Sequence, residues 1–280
     1  MNDLSHPDSK RGRLQRACLE MMQRHDREGA LPTNGRFIFY ELEGLSIVSK
    51  VKTGARRPGQ DVGDALLYLR EVGLIPWEWI VDETREMEVW SYADNIAEYL
   101  LDTIPQARID LWDGEPPPVT ITESRSLSGV LRRCAALYLT PITSTNGQAR
   151  GHLHTEVAPL LVRGQRVLYF GDFDWQGGQI EENTRHVLEQ LVGPLDWIRL
   201  AITEAQVQER DLPIIQKPDR RYKPVRYHAA VETEALGQTE IIRIFREALN
   251  EMLPETLKDV QEREERQRQP LRKLLKARKS

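Results

Sequence analysis

The stretch Val167-Leu-Tyr-Phe-Gly-Asp172-Phe-Asp174-Trp-Gln-Gly177-Gly178 constrains this chain more than any other. A short, unbroken apolar run reads as a strand covered on both faces, and such strands belong to parallel sheets sandwiched by helices. The run passes directly into Asp-x-Asp and then glycines, with a helix expected over 178–192. Ligands of open parallel sheets bind beyond the carboxyl ends of the strands. Two carboxylates one residue apart at such an end can share a hard divalent cation, and the glycines let backbone and substrate approach closely.

A second unit of the same kind lies upstream. Val119–Thr122 is a β-branched run that ends in Glu123, followed by Ser124, Arg125 and a helix expected over 126–139. A third strand is expected over 198–202, with a Ser/Thr/Asn/Gly loop over 143–151 and helices over 239–252 and beyond 255. Strands alternating with helices imply βαβ crossovers and an α/β fold with a parallel sheet. Two neighbouring strand ends would then bring Glu123, Asp172 and Asp174 to one cleft. Magnesium suits such a set, with manganese a second candidate, because it binds through few carboxylates together with substrate phosphates. In phosphoryl chemistry the ion neutralises charge and orients the attacking oxygen.

The first part of the chain reads differently. Helical spacing predicts helices over 11–28, 36–45 and 59–73, then a strand over 77–81 that resumes near 87–90. Three short helices followed by a hairpin is the order of a winged-helix module. A further helix is expected over 91–104, and 105–118, rich in Pro, Asp and Gly, reads as a linker. The resulting division is 1–88, a winged-helix-like DNA-binding domain; 89–118, linker helix and loop; 119–254, the α/β domain; and 255–280, a charged, exposed tail.

Charge and cysteine content narrow the setting. The net charge of −4 averages over opposed regions: seven basic and no acidic residues lie between Arg266 and Lys279, and Lys50, Lys52, Arg56 and Arg57 cluster in one loop. Local patches rather than net charge make phosphate contacts. Two distant cysteines, Cys18 and Cys134, form neither a disulfide framework nor a zinc knuckle. With a polar start and no long apolar segment, a cytoplasmic protein without a membrane span is expected.

The order strand–Glu123, then strand–Gly171-Asp-x-Asp-x-x-Gly177, resembles the Toprim domain of topoisomerases, primases and related nucleases. The whole chain from about 11 to 254 is most similar to bacterial and phage proteins related to the topoisomerase VI A subunit and the meiotic double-strand-break transesterase. Gly73-Leu-Ile-Pro-Trp-Glu-Trp-Ile-Val-Asp82 and Glu232-Thr-Glu234-Ala-Leu236 carry further likeness. Trp175 stands where the family usually has Pro. The resemblance implies a winged helix followed by a Toprim domain, magnesium held by Glu123, Asp172 and Asp174 beside DNA, and a two-fold homodimer. It also implies an ATPase in a separate partner subunit, since this chain has no Walker-type loop.

Family members carry a nucleophilic tyrosine in a motif like Arg-Asp-Ile-(Phe/Tyr)-Tyr. Here Arg36-Phe37-Ile38-Phe39-Tyr40 stands in the corresponding element, with Phe37 in place of Asp. A phenol oxygen can attack a phosphodiester to leave a phosphotyrosyl link while a guanidinium steadies the phosphate. Tyr40 equally fits an apolar helical face as part of a core. Lys50, Lys52, Arg56, Arg57 and Arg125 are the expected phosphate contacts. Glu232 and Glu234 read as structural, with support of a second metal as the alternative. Three functions compete: DNA strand cleavage by transesterification or hydrolysis, a DNA-binding assembly subunit without catalysis, and an Asp-x-Asp phosphatase or sugar-nucleotide enzyme. The last leaves the Glu123 unit unexplained.

Overall fold

The computed structural model describes residues 4–50, 59–81, 90–146, 150–219 and 222–277. Three helices open it, α1 (Lys10–Arg27), α2 (Gly35–Gly44) and α3 (Gln60–Glu71). The first two start where side chains satisfy the N–H groups that a helix start leaves orphaned. Ser9 accepts from the Gly12 amide, and Asn34 from the amides of Arg36 and Phe37. Leu14, Cys18, Met22, Ile38, Leu42, Leu66 and Leu69 bury their apolar stripes together.

The strand expected over 77–81 is instead a 3-10 turn, Trp77–Trp79, followed by a single parallel bridge between Ile80 and Thr33. Pro76, with no N–H of its own, leads into that turn. The Arg70 guanidinium stacks 4.4 Å from the Trp77 ring and donates to the Trp77 carbonyl, tying the segment back to α3. The continuation expected near 87–90 falls almost wholly outside the described residues. The next helix, α4 (Ile96–Thr103), is shorter than expected and begins at its Asn95 cap. The segment 105–118 does more than link, because Leu111 and Trp112 are buried in the main core and the Trp112 indole donates to the Tyr138 carbonyl.

Four strands, β1 (Val119–Thr122), β2 (Ile142–Ser144), β3 (Arg166–Phe170) and β4 (Asp196–Ala201), make one sheet in the order β2-β1-β3-β4. Every pairing in it is parallel. Between them run α5 (Arg125–Leu137), α6 (Arg150–His152) with the short helical turns that follow it, and α7 (Trp175–Val192). After β4 come α8 (Glu204–Glu209), an antiparallel hairpin of β5 (Ile215–Asp219) and β6 (Arg226–Ala230), α9 (Gln238–Met252) and α10 (Leu257–Ala277). The period-two alternation of strands sorts the core. Leu168 and Phe170 face a cluster with Leu131, Ile241 and Phe245, while Val167 and Tyr169 join Ile121, Leu153 and Leu188 in another. The last helix is anchored rather than free, since buried Glu264 accepts from the Arg108 guanidinium at 2.8 Å and the Ile109 amide at 3.1 Å. Among the described residues no helix is long and apolar enough to cross a membrane.

The opening helices are joined firmly to the sheet body. Phe37 of α2 is buried in the same cluster as Phe170 and Phe245. The fully buried Gln238 amide donates to the Ala30 and Pro32 carbonyls and accepts from the Thr33 hydroxyl at 2.5 Å. Glu41 accepts from Arg24 at 2.8 Å and from the Gln238 amide N–H at 3.1 Å, and lies 2.7 Å from the His25 ring. Burial alone would push the Glu41 carboxyl up, but the His25 contact, the Gln238 amide and Arg24 outweigh it and hold it below the usual carboxylate range. A carboxyl depressed on folding contributes stability that is complete above its unfolded value of about 4.3 and is lost as pH falls through the lower folded value. The melting-temperature advantage of the wild type over Glu41→Gln is therefore expected to shrink as pH falls below about 4. A thermal melt series across that range checks this, and an advantage that grew with acid would contradict it.

Candidate functional site

The carboxyl ends of β1 and β3 lie side by side, and the Glu123 amide continues their pairing by donating to the Phe170 carbonyl at 2.8 Å. The Glu123 carboxylate then reaches across to accept the Asp172 amide at 3.1 Å. It fits because both motif glycines lack a side chain. A Cβ on Gly171 would stand 3.1 Å from Glu123 Oε2 and 2.7 Å from the Tyr169 ring, and one on Gly177 would stand 2.6 Å from the Asp172 carbonyl oxygen. Gly→Ala inside a helix ordinarily stabilises by about 1 kcal/mol. At Gly177 the sign is expected to reverse, to a loss of about 1–3 kcal/mol, because the clash is with backbone. Denaturant unfolding of Gly177→Ala measures it, and a stabilised variant would show that the glycine is not sterically required.

The loop between β3 and α7 is pinned from below. Arg199 of β4 donates to the carbonyls of Gly171 at 2.9 Å and Asp172 at 2.7 Å, and Phe173 exchanges both backbone hydrogen bonds with Val231. The latter bridge brings the bend after β6 alongside the Asp-x-Asp loop. Thr233 there donates both its amide, at 2.9 Å, and its hydroxyl, at 3.0 Å, to Asp172 Oδ1. As a result Asp172, Glu232 and Glu234 each place a carboxylate oxygen within 4.8 Å of the others.

This group differs from the expected set of Glu123, Asp172 and Asp174. Asp172 belongs to both. Asp174 instead caps α7, accepting from the Gly177 amide at 2.6 Å, and pairs with Lys217 Nζ at 2.6 Å. Burial pushes the Asp174 carboxyl up, but the Gly177 amide and Lys217 outweigh it and leave it below the ordinary range. Glu123 stands beside the group, and burial followed by the charge of Asp172 raises its carboxyl to about 7. Three oxygen donors from carboxylates match the preference of magnesium and manganese for hard ligands, so Asp172, Glu232 and Glu234 are fit to hold such an ion.

Tyr40 meets the same group. Its hydroxyl donates to Glu232 Oε2 at 2.6 Å. Arg36, one turn earlier on α2, lies 3.0 Å from Glu232 and 2.9 Å from Glu234, and Lys50 Nζ sits 4.1 Å from the Tyr40 ring centre and 3.8 Å from Glu232. Burial, then the hydrogen bond to Glu232, pushes the Tyr40 phenol up, so it keeps its proton at neutral pH. Glu234, almost wholly buried, is also raised, by burial first and by Asp172, against the opposing charge of Arg36. Glu232 goes the other way. Its burial is outweighed by Tyr40, Lys50, Lys217 and Arg36.

The structure thus gathers Glu123, Asp172, Asp174, Arg36, Tyr40 and Lys50 in one place. Arg125 is exposed at the first turn of α5, two residues from Glu123. Lys52, Arg56 and Arg57 lie outside the described residues. Lys217 was missed by sequence reasoning, and no local motif marks it: it reaches the cleft because β5 pairs with β6. No family model, no curated protein and no solved structure matches this chain.

Proposed function

We propose that the chain is a magnesium-dependent DNA strand-cleaving enzyme in which Tyr40 is the nucleophile. The observation that carries this reading is the 2.6 Å hydrogen bond from the Tyr40 hydroxyl to Glu232, a member of the acidic group. A phenol held against a set of cation-binding carboxylates is what transfer of a phosphodiester to tyrosine requires. Bound at Asp172, Glu232 and Glu234, a divalent cation would supply positive charge to the phosphate. The chain's own parts do the rest. Tyr40 Oη forms a bond to phosphorus as the bond from phosphorus to a deoxyribose oxygen breaks. The phenol proton departs to a neighbouring carboxylate or to solvent, and the released deoxyribose oxygen takes up a proton from solvent to leave as a hydroxyl. Arg36 and Lys50 flank the ring and face the phosphate charge.

On this reading the opening helices serve as a winged-helix-like DNA-docking unit and the sheet body as a Toprim domain. Lys50 and Arg125, with Lys52, Arg56 and Arg57, contact phosphates. Two copies pair to address both strands, and an ATPase partner would be needed for any strand passage. Hydrolysis is the second reading, favoured by the raised phenol of Tyr40, which makes that oxygen a reluctant nucleophile. Supercoiled plasmid incubated with magnesium or manganese decides between them. Nicked or linear DNA that carries protein until protease is added supports transesterification, and protein-free ends support hydrolysis. Intact plasmid under all conditions would refute the cleavage reading.

A further inference from the structure

The Asp-x-Asp loop borders a cavity of about 570 Å³, whose lining includes Asp172 and Asp174. That volume falls in the range of roughly 300–1,000 Å³ typical of small-molecule sites. Trp175, 43% exposed, Phe173, Ile202 and Ala229 contribute to the lining, which is mainly apolar. We infer that this cavity receives a nucleobase of the DNA strand, turned out of the stack beside the phosphate that lies at the acidic group. The inference rests on the DNA-cleavage reading and adds to it the form of DNA that the site takes.

Charge decides what kind of group fits. Among the described residues the cavity lining has one guanidinium, Arg199, and its donors are engaged with Glu181 and with the carbonyls of Gly171, Asp172 and Ile202. His228 faces Asp219 at 3.5 Å. Glu181 and Glu204 add negative charge to the lining. A phosphate would be repelled here, whereas an uncharged planar ring can lie against the Trp175 indole. Stacking of a base on an aromatic side chain contributes about 1–3 kcal/mol. The Glu204 carboxylate in the lining offers an acceptor to an exocyclic amine. Position completes the argument, since Asp172 belongs both to the acidic group and to the cavity lining, and Phe173 and Asp174 continue that lining. A strand with its phosphate at the first therefore has its neighbouring nucleoside at the second.

Turning a base out of a duplex costs a few kcal/mol, and least where it is already unpaired. The test is a series of duplexes containing a mapped cleavage site, each with a single mismatched position walked across the cut. Binding is measured by fluorescence anisotropy and strand cleavage in parallel. The expected result is one position beside the cut where mispairing tightens binding about tenfold. Trp175→Phe keeps that peak, and Trp175→Ala flattens it. Ala229→Trp, which fills the cavity from the hairpin side, flattens it as well and serves if Trp175→Ala does not fold. A flat profile from a wild-type protein that still binds and cuts DNA overturns the base pocket and leaves the cleavage reading standing. Failure to bind any duplex overturns both.

Discussion

Asp172→Asn is expected to lower strand cleavage on the order of 10²–10³-fold and to weaken divalent-cation binding at the acidic group. The residue sits at the meeting point of the site. One carboxylate oxygen is held by the amide and hydroxyl of Thr233, and Oδ2 lies 3.6 Å from Lys217 Nζ. An amide in its place removes a charge and sets an NH₂ either against the donors of Thr233 or toward the cation. The fold should survive, because the backbone of residue 172 would keep its bonds to Glu123 and Arg199. Calorimetric titration with manganese and plasmid nicking are the two readouts. Unchanged cation binding in a folded Asp172→Asn protein would remove Asp172, and with it the group, from the metal site.

Tyr40→Phe is expected to abolish the covalent DNA–protein product while leaving cation and DNA binding within about twofold. The substitution deletes one oxygen. Glu232 loses its phenol donor but still faces Arg36, Lys50 and Lys217. On the transesterification reading the loss therefore falls on the reacting atom and spares the architecture. Denaturing gels with and without protease read it directly. Persistent cleavage with free ends would transfer the chemistry to water and leave Tyr40 as a packing residue.

Much of this site was legible along the chain, and the reason is local. The β1 and β3 strands are continuous apolar or β-branched runs, each ending in a carboxylate, so Glu123, Asp172 and Asp174 announce themselves. The helices around Leu14–Met22 and Leu66–Leu69 follow from periodicity alone. β2 did not, because three residues inside a Ser/Thr-rich loop carry no pattern that distinguishes a strand. The hairpin of β5 and β6 was also lost. Its strands are half-exposed and contain Pro218, and without their pairing nothing sets Lys217 beside Asp174. The partnership of Glu232 and Glu234 with Asp172 depends on the backbone bridge from Phe173 to Val231, a contact between segments nearly sixty residues apart. Asp174 shows the converse. Its identity as a motif residue is plain, yet the first turn of α7 takes one of its oxygens as a cap, which only the local backbone reveals.

The bonds of Gln238 and Glu41 set Tyr40 and Asp172 in register within a single polypeptide. On the cleavage reading each chain is then a self-sufficient cutter, and this has a genetic corollary. A chain lacking its tyrosine and a chain lacking its aspartate, expressed together, hold no complete centre between them and cannot rescue one another. An intact chain mated to either one keeps its own centre, so mixed populations shift from double-strand breaks toward single nicks in proportion to the defective allele.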